Sequence, residues 1–416
     1  MFTQKFGNMA GWRLFCSSAA VLAITMTVTA CGSAVDGKPV PGMTPVQLDQ
    51  LDYGDFINAP SDYEPKTAPT PADVFNIEAR RMLDYLVSPY QIDPVLQHLE
   101  HTKLLGQRGS IFSDSVTGIL PAAFEPIAKR NSFFTGVSTQ RSNLSLRSRE
   151  SLSIAIMRFG SDALAKSAAN EFDTALGHMV PERKKLSIPG HDAVVASARD
   201  DSKGWAFAVH GPYVIVSSAV SSTGKPNALP GRFAKLFDLQ MKALESLEPT
   251  PPNNILDLPQ NPEGILRLPV KPSMLATDSF SASSDYAGVY GTAGFSHFAT
   301  DAKELGSAIT DAGVDLIAHV DGTLFRTRNL EAAFKLQTAL AALGKDDEEI
   351  PPPPGIADAR CLKRDEPHPV FNSEFECILV HDRFVAVLRS GGMGTRLDPV
   401  LYRRTAAQLS ILAQVR

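Results

Sequence analysis

Two stretches of the chain, one in each half, follow the same pattern. The first, AFAVHGPYVIVSS, begins at Ala206, and the second, CILVHDRFVAVLRS, begins at Cys377. Each has an apolar run, Val-His, a two-residue turn, an aromatic residue and a second apolar run, which indicates a β-hairpin. Since an isolated hairpin cannot bury its apolar faces, the repetition predicts two related folding units in one chain.

The elements around the two hairpins also recur in the same order. In each copy the sequence predicts a helix, a strand, a second helix, three strands and a final helix with proline in its first turn. Ser161 and Asn329 are placed to cap the second helix of the two copies. A weaker similarity pairs the segment from Glu78 with the segment from Asp301, which would provide the first helix of each unit.

The strand pattern indicates the fold class. Because successive strands are joined by hairpins, we expect an α+β fold with two tandem related units, each a mainly antiparallel sheet with helices packed on it. Nearly every position of the hairpin strands is apolar, which predicts that both faces of each sheet are covered. We expect helices on one face and either the N-terminal segment or the other copy on the second.

Composition divides the chain into segments. The stretch after Cys31 is rich in Pro, Gly, Asp and Thr without a sustained period, and a second Pro-rich interval begins at Glu248. Such composition is typical of linkers. The predicted segments are a cleaved lipoprotein signal peptide at 1–30, a flexible Pro-rich tether at 31–71, a first α+β unit at 72–248, a Pro-rich linker at 249–273 and a second α+β unit at 274–416.

The N-terminal residues resemble a bacterial export signal. Lys5 and Arg13 precede an apolar run, and the four residues VTAC, which end at Cys31, resemble a lipobox. The resemblance implies that Cys31 carries a lipid anchor, which would hold the protein at the extracytoplasmic face of the cell membrane. A plain signal peptide cut near the same place, or an uncleaved anchor, is the alternative.

Charge and cysteine use agree with export. Loss of residues 1–30 leaves 38 basic and 45 acidic residues, a net charge of −7, which disfavours nucleic acid as a partner. Cys361 and Cys377 are predicted to form a disulfide between neighbouring strands, with Val195 and Ala206 packed at the equivalent positions of the first copy. A metal or redox pair is the alternative, but no Cys-x-x-Cys spacing supports it.

Several of these features together resemble a known family. They are the lipobox, the tether, the segments EARRMLDYLVSPYQIDPVL from Glu78 and FFTGVSTQRSN from Phe133, and the repeated hairpin. The combination resembles the DUF7373-type lipoproteins of mycobacteria, nocardiae and their relatives. That resemblance implies attachment to the cell envelope of an actinobacterium. The family has no assigned activity, so the resemblance transfers no catalytic residue.

The repeated hairpins also supply candidate site residues. His210 and His381 lie at equivalent edges of the two turns, where a pair of histidines could bind a metal or ligand or respond to acidification. Alternatively, each is an amphipathic residue where a buried strand reaches solvent, and no second metal ligand follows at a suitable spacing. After the second hairpin, glycines from Ser390 onward precede Arg396, which could contact an anion at a helix start or belong to a flexible connection.

Three further clusters could carry chemistry. Ser296 and His297 are adjacent, but a hydrolase would need a further base and an oxyanion hole. The acidic run Asp346–Glu349 could capture Ca²⁺ or form a solvated loop. The arginine-rich segment from Arg130 could face a lipid or glycan acid, or could be an extended connecting strand.

These observations favour a non-catalytic binding protein for a small apolar or amphipathic envelope ligand, held in a cleft between the two units. An interaction or scaffold protein for an envelope enzyme or secretion component is one alternative, and an envelope hydrolase is another. We predict no catalytic residue, cofactor or metal site.

Overall fold

A computed structural model of the chain describes residues 42–62, 71–106, 111–114, 119–222, 227–271, 286–391, 397 and 399–415. The predicted signal peptide, Cys31 and Arg396 lie outside these residues.

Two antiparallel sheets of seven strands each form the centre of the described structure. The first contains β1 (His98–Leu104), β2 (Phe133–Ser142), β3 (Ser151–Phe159), β4 (Lys184–Leu186), β5 (Val195–Asp200), β6 (Lys203–His210) and β7 (Tyr213–Val220). The second contains β8 (Gly288–Tyr290), β9 (Leu316–His319), β10 (Thr323–Arg326), β11 (Glu348–Ile350), β12 (Arg360–Lys363), β13 (Phe375–His381) and β14 (Phe384–Ser390).

The two sheets have the same topology. The first has the spatial order β1-β2-β3-β7-β6-β5-β4, and the second has the order β8-β9-β10-β14-β13-β12-β11. Each strand therefore has a counterpart at the same place in the other unit. The two predicted hairpins are confirmed as β6–β7 and β13–β14, which are paired up to His210–Tyr213 and His381–Phe384 at their turns. The predicted α+β duplication is correct at the level of topology.

Nine α-helices are present in the described residues. They are α1 (Pro71–Leu83), α2 (Pro89–Ile92), α3 (Glu125–Arg130), α4 (Asp162–Met179), α5 (Ala228–Leu244), α6 (Thr292–Ser296), α7 (Ala302–Asp311), α8 (Leu330–Leu340) and α9 (Pro399–Ala413). The predicted caps are confirmed, because Ser161 accepts a hydrogen bond from Leu164 N and Asn329 accepts one from Ala332 N. None of the described helices is long and apolar enough to cross a membrane.

The predicted pairing of the segments from Glu78 and Asp301 is wrong. Helix α1 precedes the first strand of its sheet, whereas α7 lies between the first and second strands of the other sheet. By its place in the topology, α7 corresponds to α3.

Helices cover both faces of each sheet, and the expectation of one helical face is therefore wrong. Along β7, Tyr213 and Ile215 pack in the same core cluster as α5, while Val214 and Val216 pack in the cluster of α4. The second sheet lies between α8 and α9 in the same way. This two-sided burial is why nearly every position of the hairpin strands is apolar.

One apolar core connects the two units. It contains the α5 side of the first sheet and the α8 side of the second, together with α1, α6 and α7. The units therefore do not use equivalent faces, because α5 corresponds in topology to α9 and α4 corresponds to α8.

Residues 42–62, here called the N-terminal strap, pack on the α9 side of the second unit. Thr44 N donates to Asp358 Oδ2 over 2.6 Å, and Arg403 Nε donates to Asp52 Oδ2 over 2.9 Å. Phe56 is buried beneath the Arg404 guanidinium, which lies 5.7 Å from the ring centroid. The prediction of a flexible tether over 31–71 is therefore wrong for these residues, since burial of their few apolar side chains fixes them.

Candidate functional site

A cavity of about 550 Å³ lies on the α8 side of the second sheet. Residues of α7, α8, β13 and β14 line it, together with the segments before β11 and after β12. The first unit contributes His98, at the start of β1, and Leu144, in the β2–β3 connection. Both units therefore border the cavity, and its volume is within the range of about 300–1,000 Å³ that is usual for small-molecule sites.

Aromatic and aliphatic side chains form the inner surface of the cavity. The rings of Phe298 and Phe371 are stacked with centroids 5.7 Å apart, and those of Phe295 and Phe325 meet edge to face at 5.4 Å. All four side chains are buried, and Ile378 and Val387 continue the apolar surface along β13 and β14. This surface is suited to an apolar or aromatic part of a ligand.

His368 fixes the loop that carries Phe371. Its Nδ1 atom accepts hydrogen bonds from the backbone N–H groups of Val370 and Phe371, and its Nε2 donates to Phe298 O over 2.9 Å. Burial, with Arg389 nearby, lowers the pKa of His368 to about 3. The imidazole is therefore neutral at physiological pH and positions two aromatic rings of the cavity.

An ionic network forms one wall. Glu376 and Arg389 are directly opposite each other on β13 and β14, and Arg389 Nε lies 3.7 Å from Glu376 Oε2. Arg364 donates from Nε to Glu376 Oε1 over 2.7 Å and from Nη1 to Asp347 Oδ2 over 2.8 Å. Burial opposes the charge of Arg364, but the attraction of Glu376 and Asp347 outweighs it and raises the pKa of Arg364. Two arginines and two carboxylates thus balance one another.

Arg389 also connects this network to the centre of the sheet. Its Nη1 donates to Thr323 Oγ1 over 3.0 Å, its guanidinium lies 4.7 Å from the centroid of Phe371, and Thr323 Oγ1 is 3.0 Å from His319 Nδ1. Burial, with the positive charge of Arg389, lowers the pKa of His319 to about 3. His319 is therefore neutral, and Arg389 is held between a carboxylate, a hydroxyl and an aromatic face.

The mouth of the cavity is acidic. Glu304, Asp346, Asp365 and Glu366 are exposed, and Glu374 is half-buried. Among the exposed lining residues that the structure describes, Lys345 is the only lysine or arginine.

The structure does not bring His210 and His381 together in a site. Each lies at the turn of its own hairpin, and His381 is separated along β13 from Glu376 by about 17 Å at 3.3 Å per residue. Burial lowers the pKa of His381, although Asp382 opposes this shift. No group of three His, Cys, Asp or Glu residues in the described parts of the chain could hold a metal ion.

The Ser296–His297 pair does not form a catalytic dyad. Ser296 is half-buried and its Oγ donates to Ala293 O over 2.6 Å, whereas His297 is buried and its Nε2 donates to Leu86 O over 2.7 Å. His297 instead joins the second unit to the α1–α2 connection of the first.

The charged runs noted in the sequence are largely paired. Within the acidic run, Asp347 binds Arg364, Glu349 binds Arg360 at 3.1 Å, and Glu348 lies 3.9 Å from Lys363. The arginine-rich segment contains β2, so the extended-strand interpretation is correct. In it Arg130 pairs with Glu171, Arg149 pairs with Glu100, and Arg141 is buried.

Sequence reasoning missed Arg364, Phe371, Glu376 and Arg389. For Glu376 and Arg389 the signal is a charge inside an otherwise apolar strand, and counting back along both strands from the two-residue turn at Asp382 places these two residues opposite each other. The same count in the first unit gives Trp205 opposite Ser218. The ionic pair is therefore specific to the second copy.

The predicted disulfide is confirmed, with one correction of register. Cys361 and Cys377 are bonded across β12 and β13, where they are directly opposite each other. In the first unit the equivalent pair is Ala196–Ala206, whereas Val195 is opposite Phe207. The residue at the position of Cys361 is therefore Ala196, and the prediction of Val195 is wrong by one residue.

Comparison with sequence families covers most of the chain. Residues 65–260 match the N-terminal domain of unknown function DUF7373, and residues 267–415 match the C-terminal domain of the same family. The chain belongs to the DUF7373 family. The boundary between the two DUF7373 domains lies in the Pro-rich interval that separates the two sheets.

Other comparisons add little to this DUF7373 assignment. A search of curated proteins finds no match. Among solved structures, the extracellular domain of PknH from Mycobacterium tuberculosis is similar with a TM-score of 0.29 and 10% sequence identity, over 39% of this chain and 97% of that domain. A TM-score at this level supports no conclusion about fold or function.

Proposed function

We propose that this DUF7373 protein is a lipid-anchored binding protein of the actinobacterial cell envelope, which holds a small apolar or amphipathic molecule in the cavity of the second unit. The cavity itself carries the proposal, because it combines about 550 Å³ of space, a buried aromatic surface and an ionic rim. An apolar surface with a few fixed polar groups is typical of small-molecule sites.

The polar groups on the inner wall of the cavity favour binding over turnover. Arg364, Glu376 and Asp347 hold one another by hydrogen bonds, and both ring nitrogens of His368 have backbone partners. A general base must reach the proton that it abstracts, and a group held in this way is not free to do so. Fixed charges and fixed rings instead provide orientation.

A lipid anchor on Cys31 would bring the cavity close to the membrane. Gly42, where the N-terminal strap begins, is eleven positions after Cys31 in the sequence, and a fully extended chain of that length spans at most about 40 Å. Because the strap packs on the second unit, an anchor at Cys31 would hold the start of the strap within this distance of the lipid surface and would keep the second unit, which carries the cavity, at the membrane. A molecule of the envelope is therefore a suitable ligand.

Binding can be tested with the neutral, apolar fluorophore N-phenyl-1-naphthylamine on the protein that begins at residue 31. We expect saturable fluorescence enhancement, which Ala339→Trp should reduce about tenfold or more because the indole would occupy the cavity next to α8. Ala163→Trp, on the exposed first turn of α4, is the matched control. If neither the unchanged protein nor the Ala163→Trp control binds the fluorophore saturably, the proposal is rejected.

The anchor has a separate test in the native bacterium. We expect the protein in the membrane fraction, with a diacylglycerol-sized mass on its N-terminal peptide, and we expect Cys31→Ala to lose that mass and enter the soluble fraction. An unmodified Cys31 in the processed, membrane-bound protein would contradict this part of the proposal.

A further inference from the structure

We infer that the cavity selects cationic amphiphiles, with an ammonium or guanidinium group at the acidic mouth and the apolar part of the molecule on the aromatic surface. This inference rests on the proposed function and adds the sign of the ligand's charge.

The charge of the lining is strongly one-sided. Eight carboxylate side chains and three basic side chains line the cavity, which gives a formal charge of −5. In a concave site the low-dielectric walls concentrate the field of such groups, so the mouth attracts cations and repels anions.

The two arginines of the inner wall do not reverse this sign. Arg364 is bound by both Glu376 and Asp347, and Arg389 lies 3.7 Å from Glu376 while its Nη1 donates to Thr323. An anionic head group that approached Arg389 would have to displace Glu376 or lie beside it. Bringing a second negative charge next to the half-buried carboxylate of Glu376 is unfavourable.

The carboxylates at the mouth remain available. Glu304, Asp346, Asp365, Glu366 and Glu374 have no ion-pair or hydrogen-bond partner for their carboxylates among the residues that the structure describes. Asp301, by contrast, accepts a hydrogen bond from Glu304 N and caps α7. Among the described lining residues, five such carboxylates and one lysine, Lys345, therefore lie at the opening, together with His98.

The apolar surface and the acidic mouth meet in one cavity. Leu305 and Leu340 line the same cavity as the buried phenylalanines and the exposed carboxylates, and so does Leu144 of the first unit. A molecule with its apolar part inward and its positive group outward is complementary to both. A hydrophilic cation would leave the aromatic surface without a partner, and an anionic lipid would place its head group at the most negative point.

Matched ligands test the sign directly. Decyltrimethylammonium, decanol and decyl sulfate share one alkyl chain, and each can displace N-phenyl-1-naphthylamine from the protein at low salt and at monomeric concentrations. We expect the ammonium compound to be effective at about tenfold or more lower concentration than the sulfate, with decanol between them. Because the carboxylates at the mouth are exposed, the difference should shrink with added salt.

Neutralisation of the mouth provides the second measurement. Glu304→Gln combined with Glu366→Gln should reduce several-fold the ratio between the concentrations of decyl sulfate and decyltrimethylammonium that displace the fluorophore. The displacing concentration of decanol should not change. The control is Glu182→Gln combined with Asp192→Asn, which removes the same charge from exposed loops beside β4 and β5, at the edge of the first sheet farthest from β1. It should change neither the concentration ratio nor the displacing concentration of decanol.

The outcomes separate the inference from the proposed function. If decanol binds but decyl sulfate binds as well as the ammonium compound, the inference fails and the binding function stands. If the ratio is large but insensitive to Glu304→Gln with Glu366→Gln, the selection arises elsewhere and the inference also fails. If neither the fluorophore nor any decyl compound binds, both are rejected.

Discussion

At the scale of single residues, the most consequential feature is a set of histidines that burial holds neutral. Burial, with nearby positive charges, lowers the pKa to about 4 for His101 and His297 and to about 3 for His319 and His368. The unfolded chain titrates near pH 6.5. Between about pH 6.5 and 4 the unfolded state therefore binds more protons than the folded state, so the free energy of unfolding must fall as the pH falls.

We expect this loss to be measurable by urea unfolding at pH 7 and pH 5. A histidine whose pKa is about 4 when folded and about 6.5 when unfolded contributes about 2 kcal/mol to the difference between these two pH values. His297→Gln preserves a donor for Leu86 O but cannot be protonated, so it should remove about that much of the pH dependence. His178→Gln, at an exposed position of α4, is the control. If the free energy of unfolding depends on pH equally in the two variants, the lowered pKa of His297 is contradicted.

At the scale of elements, the N-terminal strap stabilises the second unit. Phe56 is 7% exposed within the core of α9, whereas the adjacent Ile57 is 60% exposed. Phe56→Ala should lower the free energy of unfolding by about 3–5 kcal/mol, the usual cost of removing a buried aromatic side chain, and Ile57→Ala should have little effect. Urea unfolding of both variants checks this. Equal stabilities would show that the strap is not part of the fold.

The disulfide has a natural comparison within the same chain. Ala196 and Ala206 occupy in the first unit the positions of Cys361 and Cys377, so the double replacement of both cysteines by alanine reproduces an existing pair. Since the closed loop spans a separation of 16 residues, we expect a loss of about 3 kcal/mol in the free energy of unfolding. A reductant should lower the stability of the unchanged protein and leave the alanine variant unaffected. Equal stabilities without reductant would contradict the estimate.

The strength of the local sequence pattern decides which elements can be predicted. The hairpins, the helix caps and the disulfide follow from local patterns, and all are present. Strand β2 is ambiguous in the sequence because many of its residues are polar. Its threonine hydroxyls are nevertheless buried, since Thr139 Oγ1 is 3.2 Å from Thr102 Oγ1 and Thr135 Oγ1 donates to Phe75 O. Strands β8, β9 and β11 are only three or four residues long, which is too short for a periodic pattern.

The cavity was beyond sequence reasoning for a different reason. Its residues come from separate segments that meet only through the topology of the second unit, and each segment reads as an ordinary loop or strand. The Pro and Gly residues of the strap suggest a linker, whereas the burial of Phe56 and the partial burial of Val46, Leu48 and Leu51 in the core cluster of α9 fix its course. In both cases tertiary packing, which has no local sequence signature, decides the structure.

At the scale of the whole molecule, Arg141 connects the two units. This fully buried residue of β2 donates to His297 O, Ala299 O and Thr300 O of the second unit, and to Gln97 O of the first. The shared apolar core spans the same boundary. A boundary of this kind predicts that the two units unfold together, in one cooperative transition, although each has its own sheet.

Arg141→Met should break that cooperativity. It retains the apolar part of the side chain but removes the donor that four carbonyl groups share. His297 O keeps a hydrogen bond from the Thr102 hydroxyl, and each buried group left unsatisfied costs about 1–3 kcal/mol. Trp205 is the only tryptophan after residue 30, so its fluorescence reports on the first unit, while far-ultraviolet circular dichroism reports on both. We expect the two urea curves to coincide in the unchanged protein and in Arg149→Met, whose arginine is half-exposed, and to separate in Arg141→Met. If Arg141→Met shifts both curves together, the shared apolar core alone couples the units, and Arg141 contributes stability without controlling cooperativity.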